Sequence, residues 1–256
     1  MTNYPTNLSD SQWQYISNFL DTKRNRKYEL REVFNGILYL LKTGCQWRML
    51  PGDFPDWHMV YYYFSSWKRA GIIEVLQEAL VEKTRLESGR KEQPTAGIID
   101  AQSVKSTLVS SESKGFDAGK KVKGIKRHII VDTLGLVLAV VIQSASVQDR
   151  DGAIEVIGKM AESWRNVIKI FADSGYRGRL IELVKTKFQM EMEIIKRNEL
   201  HIFKILPKRW VVERTFSWID ANRRNSKNYE RLNDTGVAMI HLSATKNNVE
   251  PFLNSF

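Results

Sequence analysis

Short apolar runs alternate with longer amphipathic segments from residue 94 onward, and this alternation limits the possible folds more than any other feature of the sequence. The runs TAGIID, KRHIIVDTLGLVLAVVIQSA, NVIKIFADSG and MEMEIIKR predict strands, and DTLG divides the second run into a hairpin. Apolar residues at helical spacing cover 151–165, 180–188 and 207–222. The order of three strands, a helix, a strand, a helix, a strand and a helix predicts an α/β fold, with a mixed five-stranded sheet flanked by helices.

Residues 8–90 follow a different pattern, in which apolar residues recur at helical intervals throughout. Ser9 or Asp10 is placed to cap a first helix, and further helices are predicted over 30–42 and 58–70. The third of these is crowded with aromatic residues, and basic residues are scattered along the whole region. Two interpretations stay open: a helix that contacts DNA, or a packed aromatic core with a solvated charged face.

The charged stretch EKTRLESGRKEQP separates these two patterns and predicts a helix end followed by a linker. We therefore expect an all-α N-terminal domain over 1–93, which serves DNA binding or dimerisation. The α/β domain is expected to occupy 94–256.

The charge balance favours a polyanionic partner. Lysine and arginine number 39 against 29 aspartate and glutamate residues, so the formal net charge is +10 at pH 7. Nucleic acid is the first candidate for such a surface, although a basic domain with solvated lysines has the same composition. The charge alone does not decide between these two interpretations.

Cysteine and histidine usage argues against disulfides and zinc. Cys45 is the single cysteine, and the four histidines are scattered without the spacing of metal ligands. The N-terminus lacks the pattern of a secretory signal, and the apolar runs are too short to span a bilayer. We therefore expect a prokaryotic cytoplasmic protein with no membrane partner.

Two aspartates and one glutamate stand where metal-dependent chemistry would need them. Asp100 closes the first apolar run and Asp173 closes the fourth, so both carboxylates are expected at strand C-termini. If the two strands are parallel neighbours, these side chains meet at one edge of the sheet. Glu213 lies beside the apolar stripe of the helix in PKRWVVERTFSWIDANRR. Acids that share a site repel one another, and a divalent cation such as Mg²⁺ removes that repulsion.

Each acid also has a structural interpretation. Asp100 and Asp173 are both suited to closing a strand through hydrogen bonds to the backbone, and Glu213 is suited to pairing with Arg209 at helical spacing. It is the three together, in this order along the predicted elements, that favour a site. The aspartates at 132, 149 and 151 fit turn or capping roles instead.

Four ordered strings carry a resemblance to a known family: IIDAQSVKS, KGIKRHIIVDTLGL, FADSGYRG and RWVVERTFSWIDANRR. They resemble the corresponding segments of DDE transposases encoded by bacterial insertion sequences, in the insertion-sequence-five group. The resemblance covers nearly the whole chain, including GCQWRMLP in the helical region. It implies a ribonuclease H-like core in which Asp100, Asp173 and Glu213 are catalytic and bind two Mg²⁺ ions, with Mn²⁺ as a substitute. The implied activity is that of a DNA transposase, which cleaves and joins strands at transposon ends.

The sequence departs from the related broader signature at two positions. A tyrosine is typical three residues before Arg209, where this chain has Leu206, and a lysine is typical seven residues past the glutamate, where it has Asp220. Arg223 and Arg224 lie slightly beyond that position. Which basic residue takes the place of the lysine stays open.

Double-stranded DNA is the expected partner, as terminal inverted repeats and as target, bound by a homodimer because two ends must be paired. Basic residues around the predicted site are the candidates for phosphate contacts. They are Lys105, Lys120, Lys121, Lys123, Lys126, Arg127, Arg177, Arg209, Arg214, Arg223 and Arg224. The string GFDAGKK is one residue short of a P-loop, so no nucleotide cofactor is expected.

Two other functions remain compatible with the same acids. One is a nuclease on the same fold that stops at hydrolysis, and the other is a catalytically silent DNA-binding relic of a transposase. Strand-transfer products distinguish the first from a transposase, and metal-dependent cleavage distinguishes the second.

Overall fold

In a computed structural model, the described chain comprises residues 3–108, 113–195 and 207–249, with the side chains of 207–209 and 246–249 left out. The N-terminal part is helical, as predicted. Its helices are α1 (Asp10–Ser17), α2 (Leu30–Thr43), α3 (Trp57–Arg69) and α4 (Ile72–Glu87).

Local capping explains where these helices begin and end. Ser9 caps α1 through a capping box, in which its hydroxyl accepts from the Gln12 amide and the Gln12 side chain accepts from the Ser9 amide. Gly44 ends α2 in the left-handed region at φ 72°, a conformation that glycine adopts at little cost. The predicted helices over 30–42 and 58–70 are confirmed to within one residue at each end. The sequence had indicated only the end of α4.

The second part contains a mixed sheet flanked by helices, which confirms the predicted fold class. Six strands are described rather than the predicted five, because a three-residue strand too short to show an apolar pattern pairs with β3. The strands are β1 (Ala96–Lys105), β2 (Gly115–Asp117), β3 (Val122–Val131), β4 (Val137–Ser144), β5 (Lys169–Ala172) and β6 (Glu191–Ile194).

Strand direction divides the sheet into two halves. The strands β2, β3 and β4 form antiparallel pairs, as does β1 with β3, whereas β5 runs parallel to both β1 and β6. The DTLG segment forms the predicted turn between β3 and β4. Four helices of the described residues cover the sheet: α5 (Asp149–Ser163), α6 (Arg179–Phe188), α7 (Pro207–Asp220) and α8 (Asn233–Val249).

Two apolar cores lie on the two faces of the sheet. On one face α5 and α6 bury residues such as Val156, Ile157 and Val184. On the other, α7 packs Val212 and Phe216 against the strands. Burial of these side chains supplies the main favourable term that holds the helices in place.

The helix α8 was not predicted, and it joins the two parts of the chain. Met239 and Leu242 lie in the core of the helical N-terminal part, while Ile240 and Ala244 lie in the core of the sheet. Because its apolar residues point to both sides, α8 lacks the single apolar stripe that reveals an amphipathic helix. The domain boundary at residue 93 stays a prediction. The helix α8 packs against the residues before this boundary and against the residues after it.

Candidate active site

Asp100 and Asp173 lie level with each other on neighbouring parallel strands. The last described pair between β1 and β5 is Ile98 with Phe171, and each aspartate lies two residues further along the chain than its own strand's member of that pair. Both aspartates line one small cleft, together with Val212 of α7. The structure therefore brings the two acids to one edge of the parallel pair, as predicted.

The prediction that Asp100 closes its strand was wrong. The strand β1 continues to Lys105, and Asp100 pairs with Ile129 of β3. Antiparallel pairing with β3 extends β1 past the point where β5 ends, so Asp100 lies inside the strand and only its β5 side opens to the cleft. Asp173 directly follows β5, as predicted.

Backbone amides orient one oxygen of each aspartate. The amide of Ala101 donates to Asp100 Oδ1 at 2.7 Å, and the amide of Gly175 donates to Asp173 Oδ1 at 2.7 Å. The second contact caps a 3₁₀ helix at Ser174–Tyr176. The Asp173 side chain therefore has the predicted turn role, and the same side chain also lines the cleft.

Glu213 is an exposed residue of α7, next in sequence to the cleft-lining Val212. The turn between β3 and β4 holds α7 in place: Thr215 Oγ1 donates to the Gly135 carbonyl at 2.9 Å, and Arg214 Nη2 donates to the Leu134 carbonyl at 2.7 Å. Gly135 has φ +90°, and a Cβ there would lie 2.9 Å from Arg214 Nη2. Only glycine lets the turn approach the helix this closely.

The three acids are not gathered into one cluster. Within residues 3–108, 113–195 and 207–245, no three His, Cys, Asp or Glu side chains lie close enough together to hold a metal ion. The two aspartates alone still suit Mg²⁺, which is typically held by one or two carboxylates and completes its shell with water and phosphate oxygens. The donor set therefore fits a metal that binds together with DNA.

Tyr176 belongs to the core on the α5 and α6 side of the sheet, near enough to the aspartates for their charges to act on it, and the sequence analysis did not single it out. It is fully buried, and its hydroxyl has no hydrogen-bond partner among the described residues. Burial, and then the carboxylates of Asp100, Asp149 and Asp173, raise the pKa of Tyr176 well above its usual value. Burial is the main cause of this rise in pKa and the nearby carboxylates add to it, and the tyrosine three residues after Asp173 was the available sequence signal.

Arg127 lies beside Asp220, and Asp220 stands at the position where the related signature has a lysine. Arg127 Nη1 lies 3.3 Å from Asp220 Oδ1, and Gln102 Nε2 donates to Asp220 Oδ2 at 2.6 Å. Gln102 is two residues after Asp100 and so lies on the same face of β1. Burial lowers the pKa of Arg127 to about 10, which leaves it charged at neutral pH. A basic group therefore reaches the Asp100 face from β3 rather than from α7.

The basic residues proposed for DNA contact fall into two groups. Lys126, Arg127 and Arg224 are buried and ion-paired: Lys126 Nζ lies 2.8 Å from Asp149, and Arg224 Nε lies 2.6 Å from Glu230. Pairing inside the protein leaves these three unsuited to direct phosphate contact. The exposed ones are Lys105, Lys120, Lys121, Lys123, Arg177 and Arg223, while Arg214 is half-buried and the side chain of Arg209, like Leu206, lies outside the described residues.

Of the three aspartates assigned to turn or capping roles, Asp132 has the turn role. Asp132 Oδ1 accepts hydrogen bonds from the amides of Leu134 and Leu136, and its other oxygen pairs with Arg85. Asp149 and Asp151 both lie in the first turn of α5. The turn prediction for Asp132 is confirmed, whereas neither Asp149 nor Asp151 caps α5, whose N-cap residue is Gln148 and carries no side-chain cap hydrogen bond. No helix of the described chain is long and apolar enough to cross a membrane.

Two family models and a curated relative agree with the resemblance. The family described as "Transposase DDE domain" matches residues 91–245, and "Putative transposase of IS4/5 family" matches residues 8–77. A putative transposase for insertion sequence element IS402 of Burkholderia cepacia is 29% identical over 126 residues, which are 46% of this chain and 60% of that protein. A solved pre-cleavage Mos1 transpososome aligns with a TM-score of 0.28 and 10% identity, over 91% of this chain and 82% of that one. Because the DDE domain match spans more than half of the chain, this protein belongs to the transposase DDE domain family.

Proposed function

We propose that this protein is a DNA transposase that cleaves DNA at the ends of its insertion sequence and joins them to a target. One observation carries the proposal: Asp100 and Asp173 lie level on neighbouring parallel strands and share a cleft with the helix that bears Glu213. The chain's membership of the transposase DDE domain family supports the same chemistry.

Divalent metal dependence follows from the family, and we propose Mg²⁺ as the metal. Asp100, Asp173 and Glu213 would hold two such ions, with Mn²⁺ as a substitute. When bound, the ions supply activation of the attacking oxygen and stabilisation of the leaving oxygen. Glu213 completes the set when DNA phosphate enters the cleft, which accounts for its exposure beside Val212.

The protein's own side chains orient the acids and hold the DNA backbone. Asp173 keeps its orientation through the Gly175 amide at 2.7 Å. Lys120 Nζ donates to the Ala101 carbonyl at 2.9 Å, so an exposed cation lies one residue from Asp100. With Lys105, Lys121 and Lys123, it forms an exposed basic patch at one end of β1 and β3 that suits phosphate contacts.

The proposed partners are the terminal inverted repeats of the element and its target DNA. A homodimer is proposed because two DNA ends have to be processed in one complex. The basic patch makes binding of either DNA sensitive to salt, since each phosphate contact releases counterions.

The test is a reaction with duplexes taken from the DNA that flanks the gene, run with Mg²⁺ or with a chelator. Wild type is compared with Glu213→Gln, and Glu182→Gln on the exposed surface of α6 serves as the matched control. We expect joined products only with metal, with wild type and with the control. Cleavage without joining would assign the nuclease function, and DNA binding without cleavage would assign the relic.

A further inference from the structure

The outward face of α3 carries large aromatic side chains. Tyr61 is 46% exposed and Tyr62 is 56% exposed, and they share this face with His58, Ser65 and Arg69, which recur at helical spacing. We refer to these five residues as the α3 face. The opposite side of the helix is already packed into the core of the N-terminal part. Aromatic side chains on both sides of one helix indicate a second packing partner.

A neighbouring turn extends the α3 face. The 3₁₀ turn Trp47–Met49 packs beside it, with the Trp47 ring centre 5.1 Å from that of Tyr61, and Met49 is 70% exposed. Because an aromatic side chain carries about 150 to 250 Å², Tyr61, Tyr62 and Met49 together expose roughly 300 Å². Exposed patches of a few hundred Å² often mark interaction sites on monomers. A standard interface takes about 800 Å² from each partner, so this surface has the size of an interface centre with a polar rim still to be added.

Opposite charges stand at the two ends of the α3 face. Asp56 caps the helix by accepting from the His58 amide at 2.9 Å, and its carboxylate also lies 2.8 Å from His58 Nδ1. Arg69 is exposed in the last turn, whereas its neighbour Lys68 is paired with Asp234 at 2.7 Å. The face therefore has an acid at its start, a base at its end and uncharged tyrosines between them.

We propose that the α3 face packs against the same face of a second copy of this chain, with the two α3 helices antiparallel and Tyr62 near the two-fold axis. In this arrangement Asp56 of each copy lies opposite Arg69 of the other, because Tyr62 is about midway between them along the helix. A two-fold interface repeats every contact, so two such ion pairs form. An aromatic centre with a charged rim is the composition typical of protein interfaces.

DNA is the less suitable occupant of this surface. The formal net charge of the chain is +10, yet the α3 face with its cap carries one arginine and one aspartate. Duplex DNA is bound chiefly through its phosphates, which an aspartate repels. Two copies of a strongly basic protein also repel each other, except where they meet through surfaces of balanced charge. The need for a second copy rests on the proposed function, since two DNA ends have to be processed in one complex.

The first experiment measures the dissociation constant of the dimer by analytical ultracentrifugation of the full chain without DNA. Arg69→Asp replaces two attractive contacts by two repulsive ones, and so does Asp56→Arg. We expect a wild-type dimer at micromolar concentrations and at least about tenfold weaker dimers for each variant. Lys185→Asp, at an exposed base in the last turn of α6, is the matched control and should dimerise like wild type.

An equimolar mixture of the two variants gives the sharpest result. In a heterodimer of Arg69→Asp with Asp56→Arg, every base again lies opposite an acid, so the mixture should associate about as tightly as wild type. Loss of the helix cap at Asp56 cannot imitate this outcome, because mixing does not restore a cap. Recovery in the mixture therefore reports contact between copies and not a change within one chain.

A second experiment tests the aromatic centre. Tyr62→Ser should weaken the dimer at least about tenfold, while Leu86→Ser, at a residue 51% exposed on α4, should leave it unchanged. A monomeric wild type, charge variants that dimerise like wild type, or a mixture no tighter than its components would overturn the proposal. Loss of DNA affinity with an unchanged dimer would overturn it in favour of DNA. A dimer that follows the charge pattern in a chain that neither cleaves nor joins DNA would support the interface and overturn the proposed function alone.

Discussion

Asp132 and Asp173 have the same local setting and different surroundings. Each directly follows a strand, and each accepts a hydrogen bond at Oδ1 from the backbone amide two residues later. Asp132 is fully buried and paired with Arg85, whereas Asp173 is half-buried in the cleft that it shares with Asp100. The same turn chemistry therefore serves a structural acid in one place and a candidate catalytic acid in the other.

Strand direction accounts for the difference. The strand β3 runs antiparallel to β1 and β5 runs parallel to it, so the two strands end at opposite edges of the sheet. Asp173 emerges beside Asp100, while Asp132 emerges beside the end of α4, where Arg85 also donates to the Lys91 carbonyl at 2.8 Å. What lies at each edge decides the role of the aspartate.

The largest expected effect comes from Asp173→Asn. The amide oxygen can still accept from Gly175, so the turn is kept, but the charge that would bind metal is lost. We expect DNA cleavage to fall by at least about 10³-fold, with little change in the free energy of unfolding. Single-turnover cleavage assays and urea unfolding measure the two quantities. Asp151→Asn, at an exposed acid of α5, is the control, and cleavage within tenfold of wild type would remove Asp173 from the site.

The same substitution at Asp132 should lower the free energy of unfolding and leave DNA cleavage unchanged. Asp132→Asn keeps the turn but leaves the Arg85 charge buried without its partner, a change that destabilises proteins by about 3 to 5 kcal/mol. Urea unfolding gives the loss, and cleavage per folded molecule should stay at the wild-type level. Adding Arg85→Met to this variant should recover part of the stability. A single variant as stable as wild type would show that this ion pair does not stabilise the fold.

Gly135→Ala tests how the turn after Asp132 positions α7. A side chain at φ +90° is strained, and its Cβ would also lie 3.0 Å from Thr215 Oγ1. We expect a loss of about 2 to 3 kcal/mol in the free energy of unfolding, with slower cleavage because Glu213 shifts with the helix. Gly52→Ala is the control, since nothing lies within 4 Å of a Cβ there. Equal losses in the two variants would refute a specific role for this turn.

The smallest expected effect is a pH dependence from His128, a fully buried residue of β3. Burial lowers the pKa of His128 to about 4, with Asp149 opposing the shift and Lys126 and Lys120 adding to it. The folded state stays neutral while the unfolded state takes up a proton near pH 6.5, so stability falls as the pH drops from about 6.5 towards 4. Between pH 7 and pH 5 the loss should be about 2 kcal/mol.

Urea unfolding of wild type and His128→Gln at pH 7 and pH 5 measures this contribution. The variant should lose less stability than wild type between the two pH values. An identical pH dependence in wild type and His128→Gln would contradict the buried neutral histidine.

Much of the architecture was predictable because it depends on local pattern. Short apolar runs and helical stripes predicted the strands around Asp100 and Asp173, the hairpin at DTLG and the helix with Glu213. The short β2 and the helix α8 were missed. A strand of three residues shows no period, and α8 packs against two cores at once.

The candidate site was predictable in its residues and only partly in its geometry. Asp100 was expected at a strand end and lies within β1, because pairing with β3 is a long-range contact. The burial of Lys126 and Arg127 could not be predicted from the sequence, because their ion-pair partners Asp149 and Asp220 come from distant segments of the chain. Which basic residues face solvent is a property of the packed molecule.

The sequence by itself determined most of the strands and helices, the identity of the three candidate acids and the family, because these depend on residue type and on spacing along the chain. Only the tertiary structure decided which acids share a cleft and which are paired with a buried base. The physical reason is that both aspartates follow a strand and accept from the amide two residues later, so this shared hydrogen bond does not separate their roles. Strand direction places one beside a buried arginine and the other beside a second carboxylate.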